Sequence, residues 1–228
     1  MSIDSADASV ERFQQALMQW AEENGRDYPW RHHRTPYRVA IAELMLRRTR
    51  SDQVVPVFEE FMRAYPTLEA AAGADPEELQ RLLYPLGLRW RIRDMLRFLR
   101  EAFFRFGNDL PLDLEQLRSL PGVGEYVGAA IVCFAGGQKE PLIDTNVVRV
   151  LGRVFGLRTD GEARRRAEMR RLARRAVYAP DPAGYHFALI DFAAKVCVPG
   201  IPRCGQCPLQ KEFLCAYYRA RSGNGAID

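Results

Sequence analysis

An all-α fold is predicted for this chain of 228 residues by three features. Apolar residues recur at helical spacing in most segments, for example Phe13, Leu17 and Trp20 within residues 10–23. The two-residue alternation that marks a half-buried strand is almost absent. Hydrophobic residues make up 47% of the chain, which is enough for a packed core.

The predicted helices follow this spacing along the whole chain. One of them begins with two local signals, because Asp75 is a typical N-cap and Pro76 suits the first helical position. The helix over 162–178 contains seven arginines, which we interpret mainly as a solvated face. The full set of predicted helices covers residues 10–23, 37–48, 53–65, 76–83, 91–106, 112–119, 125–135, 146–155, 162–178 and 185–197.

Charge and apolar runs limit the classes of function. The formal net charge is +4, which permits a nucleic-acid partner without demonstrating one. The longest apolar run, within residues 128–137, is shorter than the ~18 residues that a membrane span needs. The amino-terminal residues carry no basic-then-apolar signal pattern. We therefore expect a cytoplasmic protein without a membrane partner.

A tight turn between two predicted helices is the first motif with a chemical consequence. Residues 114–128 read LEQLRSLPGVGEYVG. The two glycines allow close approach of the backbone, and the amides that open the second helix favour an anion. We predict that Gly122, Val123 and Gly124 form a phosphate-binding turn that reads no sequence. Taken alone, Gly-Val-Gly favours an ordinary packing turn between two helices.

Four of the five cysteines lie within 32 residues of the carboxyl terminus. Cys197, Cys204, Cys207 and Cys215 are spaced C-x6-C-x2-C-x7-C. Four thiolates at such spacing suit either a structural zinc ion or an iron–sulfur cluster, and spacing alone does not choose between them. Prolines at 199, 202 and 208 favour a loop wrapped around a metal.

Together these motifs resemble the helix-hairpin-helix (HhH-GPD) glycosylases of the endonuclease III and MutY superfamily. The likeness extends from about Tyr28 to Cys215 and includes Asp144, about 20 residues after the hairpin. It implies a two-lobed fold with a six-helix barrel domain over 30–138 and an iron–sulfur domain formed by 1–29 plus 139–228. It also implies a [4Fe–4S] cluster on the four cysteines, although the family's last spacing is usually C-x5-C.

The resemblance assigns three catalytic candidates. Asp144 matches the carboxylate that stabilises the cationic sugar and handles water, although its residue type also suits a helix N-cap. Tyr126 stands where strand-cleaving members have a lysine, so no Schiff base is expected here. Glu43 lies in an otherwise apolar helix and marks the base pocket without choosing the base.

Other residues are predicted to contact DNA. The sequences Arg47-Arg48-Thr49 and Tyr28-Pro29-Trp30-Arg31 resemble the MIG-type thymine-mismatch branch. A loop around Leu88 and Arg89 is expected to insert on the opposite strand. The predicted DNA-binding set is Trp30, Arg31, Arg47, Arg48, Leu88, Arg89, Gly122, Val123 and Gly124.

These features favour a monofunctional, monomeric glycosylase that acts on mismatched or damaged bases in double-stranded DNA. Thymine or uracil opposite guanine is the expected target. Three alternatives remain open at this point: an adenine glycosylase that lacks an 8-oxoguanine recognition domain, an endonuclease III-like lyase on oxidised pyrimidines, and a non-catalytic DNA-binding protein.

Overall fold

Helices joined by short turns make up the observed fold. The computed structural model describes residues 3–87, 89–211 and 215–222, and within these ranges no β-strand occurs. The prediction of an all-α protein is confirmed for this part of the chain. Its α-helices are α1 (Ile3–Asn24), α2 (Pro36–Leu46), α3 (Ser51–Ala64), α4 (Leu68–Ala72), α5 (Pro76–Leu83), α6 (Arg89–Phe106), α7 (Leu114–Arg118), α8 (Glu125–Phe134), α9 (Thr145–Phe155), α10 (Ala167–Ala176), α11 (Pro182–Lys195), α12 (Pro208–Lys211) and α13 (Ala216–Ser222).

The chain divides into two units of packed helices. The central unit contains residues 27–138, and the terminal unit contains residues 1–26 and 139–228. In the central unit, α2 packs against both α3 and α8. The apolar run of α8 explains this position, because every residue from Val127 to Phe134 is buried. A helix that is apolar on all sides must be covered by its neighbours.

The terminal unit is built around α11, which packs on both α1 and α9. Its core includes Phe13 and Leu17 of α1, Leu151 of α9 and Phe192 of α11, each at most 1% exposed. Along α9 the buried residues recur at helical spacing, so the opposite face of that helix carries its polar side chains. This polar face becomes important for the candidate site.

Two local predictions are corrected by the structure. The helix predicted over 162–178 is wrong in extent, because α10 covers only Ala167–Ala176 and a 3₁₀ turn precedes it. Arg166 has extended backbone (ψ 134°), and its guanidinium binds the Asp160 carboxylate at 3.1 Å. The short helix α4 was not predicted. No helix among the described residues is long and apolar enough to span a membrane.

A buried ion pair fixes the point at which the chain leaves α1. The Asp191 side chain on α11 is fully buried and accepts two hydrogen bonds from Arg26, one from its backbone N–H at 2.7 Å and one from its Nε at 2.6 Å. A buried carboxylate of this kind is tolerated only when its partners compensate for lost hydration. Arg26 supplies that compensation where the terminal unit ends and the central unit begins.

We expect Asp191→Asn to lower the free energy of unfolding by about 2–4 kcal/mol, because the substitution removes the charge that Arg26 neutralises. Urea unfolding followed by circular dichroism measures the change. The matched control is Asp160→Asn, since Asp160 pairs with Arg158 and Arg166 on the surface. That surface pair is screened by solvent, so we expect a much smaller loss of stability in the control. Equal losses in the two variants would contradict the role given to Asp191.

Candidate functional site

The predicted hairpin is a turn between α7 and α8. Gly122 has a positive φ of 78°, and Gly124 is the N-cap of α8. An added Cβ at Gly128 would lie 2.9 Å from Leu114 Cδ1, so this glycine allows α8 to cross close to α7. Val123 is 5% exposed and anchors the turn in the central unit.

The start of α8 has the geometry that an anion-binding turn requires. Gly124 is exposed, and an added Cβ there would meet no atom within 4 Å. Because glycine has no side chain, Gly124 offers no capping oxygen to the first amides of α8. Backbone amides at an exposed helix start, together with the helix dipole, favour a phosphate oxygen. Tyr126, the second residue of α8, is half-buried beside this turn.

The carboxyl end of α2 lies against the same turn. A Cβ added to Gly122 would be 3.6 Å from Leu44 Cδ2 and 3.7 Å from Arg47 Nη1. The structure therefore brings Arg47 next to Gly122 of the hairpin, although these two residues are 75 positions apart in the chain. Glu43 is half-buried one turn earlier on α2. Since α2 packs on α8, Glu43 and Tyr126 lie on contacting helices of one unit.

Arg48 follows the end of α2 in an unusual backbone conformation. Its φ is 57°, and among the described residues it is the only non-glycine with a positive φ. A left-handed conformation costs an ordinary residue about 1–2 kcal/mol. Arg48 is also exposed. Strain of this kind often occurs at functional segments, which is consistent with the predicted DNA contact at Arg48.

The remaining predicted DNA-contacting residues differ in exposure. Trp30 is 6% exposed, stacked on Tyr28 at 4.8 Å between ring centroids and edge-on to Phe58 at 5.6 Å. Its observed contacts are therefore those of a core residue. Arg31 is half-buried, with its guanidinium 5.2 Å from the centroid of the Tyr28 ring. Arg89 is the first residue of α6, and Leu88 lies outside the described residues.

Asp144 belongs to the terminal unit and is the N-cap of α9. Its Oδ1 accepts a hydrogen bond from the Val147 amide at 2.8 Å, and its Oδ2 accepts one from Asn146 Nδ2 at 2.9 Å. The carboxylate is half-buried. It therefore serves as a helix cap, as its residue type allowed, and it is held in one orientation by two donors. Those two bonds leave lone pairs on both oxygens for a substrate or a water molecule.

A hydrogen-bonded chain, the Asp144 relay, connects this carboxylate to the first cysteine of the cluster motif. Asn146 Oδ1 accepts a bond from Arg149 Nη2 at 3.0 Å, and Arg149 Nε donates to the Cys197 carbonyl at 2.9 Å. Arg149 Nη2 also donates to the Ala193 carbonyl at 3.0 Å. Burial lowers the pKa of this guanidinium, so its acceptors compensate for lost hydration. Asn146 and Arg149 were not among the predicted site residues.

All four predicted cysteine ligands line one cavity of the terminal unit. Apolar side chains such as Phe192 and Leu209 form the rest of its wall. Burial raises the pKa of the Cys207 thiol to about 12, so metal binding has to displace a proton there. Within residues 3–87, 89–211 and 215–222, no three Cys, His, Asp or Glu side chains converge on a single point as chelators of one metal ion would.

Arg153 supplies a positive charge at this cavity. Its Nη1 lies 3.5 Å from Cys197 Sγ and donates to the Val198 carbonyl at 2.8 Å, while Nη2 donates to the Gly200 carbonyl at 2.8 Å. Its guanidinium is also 5.1 Å from the centroid of the Tyr217 ring on α13. Four thiolate donors, an apolar wall and a cation that offsets thiolate charge fit a four-cysteine cluster. The residues present are therefore compatible with the cofactor that the sequence predicted.

Comparisons with known proteins agree with these features. Residues 41–175 match the family model described as HhH-GPD superfamily base excision DNA repair protein. The chain is 37% identical over 217 residues to the thymine/uracil-DNA glycosylase of Pyrobaculum aerophilum, covering 92% of this chain and 93% of that relative. It is 35% identical over 210 residues to the adenine DNA glycosylase of Mycobacterium tuberculosis, covering 90% of this chain and 67% of that relative. A solved structure of a thermostable thymine-DNA glycosylase superposes with a TM-score of 0.86 at 29% identity, covering 95% of this chain and 99% of the other.

Proposed function

Because the chain belongs to the HhH-GPD superfamily of base excision DNA repair proteins, we propose that it is a DNA glycosylase for thymine or uracil opposite guanine. The observation that carries the chemistry is the Asp144 carboxylate, which two hydrogen bonds hold at the start of α9. The proposed base specificity is supported by the similarity to thymine/uracil-DNA glycosylases over 92% of the chain.

Asp144 is proposed to act on the sugar rather than on the base. Cleavage of the bond between base and sugar passes through a transition state that resembles an oxocarbenium ion. A carboxylate held beside the anomeric carbon stabilises the developing positive charge and orients or deprotonates the attacking water. The bonds from Val147 and Asn146 preorganise the carboxylate, so it need not reorient as the charge develops.

The central unit is proposed to bind the DNA and the displaced base. A base inside a duplex is inaccessible, so it has to leave the stack and enter a pocket. The exposed start of α8 is suited to a backbone phosphate, and Arg47 and Arg48 are suited to the gap that the base leaves. Glu43 and Tyr126, on the contacting helices α2 and α8, are proposed to hydrogen-bond and enclose the base.

The four cysteines at the cavity are proposed to hold a [4Fe–4S] cluster. Each cysteine of such a cluster binds a different iron, and the four cysteines that line one cavity match that number of ligands. The cluster would supply structural order to the loop from Cys197 to Cys215. Iron and acid-labile sulfide, measured on anaerobically purified protein, distinguish this cofactor from zinc.

Base release from duplexes that differ only in the mismatched base pair tests the proposed base specificity. Oligonucleotides of one sequence containing T·G, U·G, A·G or A·8-oxoguanine are incubated with excess enzyme, and the abasic product is measured after alkali cleavage. We expect rapid release from T·G and U·G. Release of adenine without activity on T·G or U·G would overturn the proposal in favour of an adenine glycosylase.

Tyr126→Lys is expected to gain a covalent DNA adduct that borohydride traps, because an amine can attack the sugar carbon and form an imine whereas a phenol cannot. The parent protein is expected to form no such adduct. Glu125→Lys is the matched control, since Glu125 is the exposed neighbour of Tyr126 on α8. Trapping of the parent at the level of the lysine variant would show that the enzyme is not monofunctional.

A further inference from the structure

An arginine-rich face on α10 has no role in the proposed reaction. The buried side of α10 is formed by Met169, Ala173 and Ala176. The opposite side presents two pairs of adjacent, exposed arginines about one helical turn apart. They are Arg170 and Arg171, followed by Arg174 and Arg175. Because this face belongs to the terminal unit, it is distinct from the hairpin and from α2.

An open groove adjoins this face. It has a volume of about 450 Å³ and lies among α1, Arg175, Lys139 and the segment that follows α10. Gln14 and Gln15 of α1 line it together with the ring of Tyr178. Gln14 Nε2 donates to the Ala176 carbonyl at 3.1 Å, which holds α1 against the end of α10. The groove therefore combines cations, amides and an aromatic ring.

Positive charge dominates this surface. Among the described residues, the acidic groups beside it include Glu11 in the groove, Glu168 on α10, and Glu140, which is 4.0 Å from Arg174. The pair with Glu140 is long and largely exposed, so it neutralises little of the charge on Arg174. The cations of this surface are Lys139, Arg170, Arg171, Arg174 and Arg175.

The spacing of the arginines suits a phosphate backbone. Arg171 and Arg175 are four residues apart, which is about 6 Å along a helix. Successive phosphates of one DNA strand advance by about 3.4 Å along the duplex axis, so a helix lying along that axis would span about two such steps between these arginines. Arginine offers a planar pair of donors to each phosphate, and side-chain amides add neutral contacts to the same strand.

We propose that the α10 face and its groove, here called the α10 basic surface, form a second contact for the DNA backbone. This contact does not depend on base sequence. It binds undamaged duplex DNA and plays no part in the step of base release. The inference rests on the proposed function only in taking duplex DNA as the ligand.

The salt dependence of DNA binding tests this proposal. The variant Arg171→Gln/Arg174→Gln/Arg175→Gln removes three charges, and glutamine matches arginine in helix propensity, so α10 should remain folded. Binding to a fully matched 30-base-pair duplex is followed by fluorescence anisotropy over a series of salt concentrations. Each lost phosphate contact lowers the slope of log K against log salt by about 0.9, so we expect a decrease of about 2–3.

A control variant that loses the same charge elsewhere separates the effect of a local DNA contact from the effect of net charge. The variant Arg63→Gln/Arg97→Gln/Arg100→Gln removes the same charge from exposed positions of α3 and α6 in the central unit. An unchanged slope in the α10 variant, or an equal decrease in the control, would overturn the proposal. Binding to poly-glutamate is measured in parallel. If the α10 variant loses binding to poly-glutamate while its binding to duplex DNA is unchanged, the surface would serve an acidic protein and the proposal would be overturned.

The same variants are assayed for base release at saturating enzyme in a single turnover. The rate on a T·G duplex should stay within about twofold of the parent rate, because this surface acts before that step. Failure of the parent to release thymine would refute the proposed function and leave the salt experiment interpretable on its own.

Discussion

Asp144→Asn is expected to slow base release by about 10³-fold, while the protein stays folded and still binds abasic-site DNA. Asparagine is as good an N-cap as aspartate, so the bond from the Val147 amide to the capping oxygen can persist. The substitution removes the negative charge that stabilises the cationic sugar, and it also replaces the oxygen that accepts the bond from Asn146 with an amide donor. Single-turnover kinetics on a T·G duplex and thermal unfolding measure the two quantities separately.

Asp181 offers a matched control for this experiment. It is the N-cap of α11 in the same unit and accepts a bond from the Gly184 amide at 2.9 Å, so Asp181→Asn changes a cap in the same way. We expect its rate of base release to equal that of the parent. An Asp144→Asn protein that retains more than about a tenth of the parent rate would exclude the carboxylate as the main stabiliser of the sugar cation.

Arg149→Met is expected to reduce both stability and base release. Methionine fills similar space but cannot donate to the acceptors on Asn146, Ala193 and Cys197, so three polar groups lose a charged partner. We expect a decrease of about 2–4 kcal/mol in the free energy of unfolding, measured by urea titration. Release of thymine should slow even at a temperature where the variant remains folded, because Asn146 loses the bond from Arg149 that fixes its side chain beside Asp144.

Asn146→Ala separates orientation from stability in this relay. It deletes one bond to Asp144 at 2.9 Å and leaves the two backbone carbonyls paired with Arg149. We expect base release to fall about tenfold, in the maximal rate rather than in substrate affinity, with a loss of only about 1 kcal/mol in stability. Asn108→Ala serves as control, since Asn108 accepts a bond from the Glu69 amide in the central unit. Equal rates in the parent and Asn146→Ala would show that the relay has no positioning role.

Local signals predicted much of the fold. The helix over 76–83 was predicted within its observed bounds, because Asp75 caps it through the amides of Glu77 and Glu78. The prediction of a helix over 162–178 was wrong in extent, because a tertiary contact and not helical periodicity determines where this helix begins. Arg166 binds Asp160 across a loop, and a helical pattern contains no information on that contact. The short helix α4 has too few residues for its periodicity to stand out.

The sequence identified candidate site residues where a residue type stands in a recognisable motif. Asp144, the hairpin glycines and the cysteines each stand in a recognisable pattern, whereas Asn146, Arg149 and Arg153 were missed. Two of their main acceptors are backbone carbonyls more than 40 residues away, and no pairing of residue types reveals them. One signal was available, because residues 146, 149 and 153 form a polar stripe opposite the buried face of α9.

The central claim is that this chain hydrolyses the bond between thymine and its sugar without cutting the strand. The most direct measurement is a time course on a T·G duplex in which free base is identified by mass spectrometry and strand cleavage is measured with and without alkali. The account predicts free thymine in step with abasic sites, and cleavage only after alkali. Strand cleavage that keeps pace with base release before alkali, or the absence of free thymine, would contradict it.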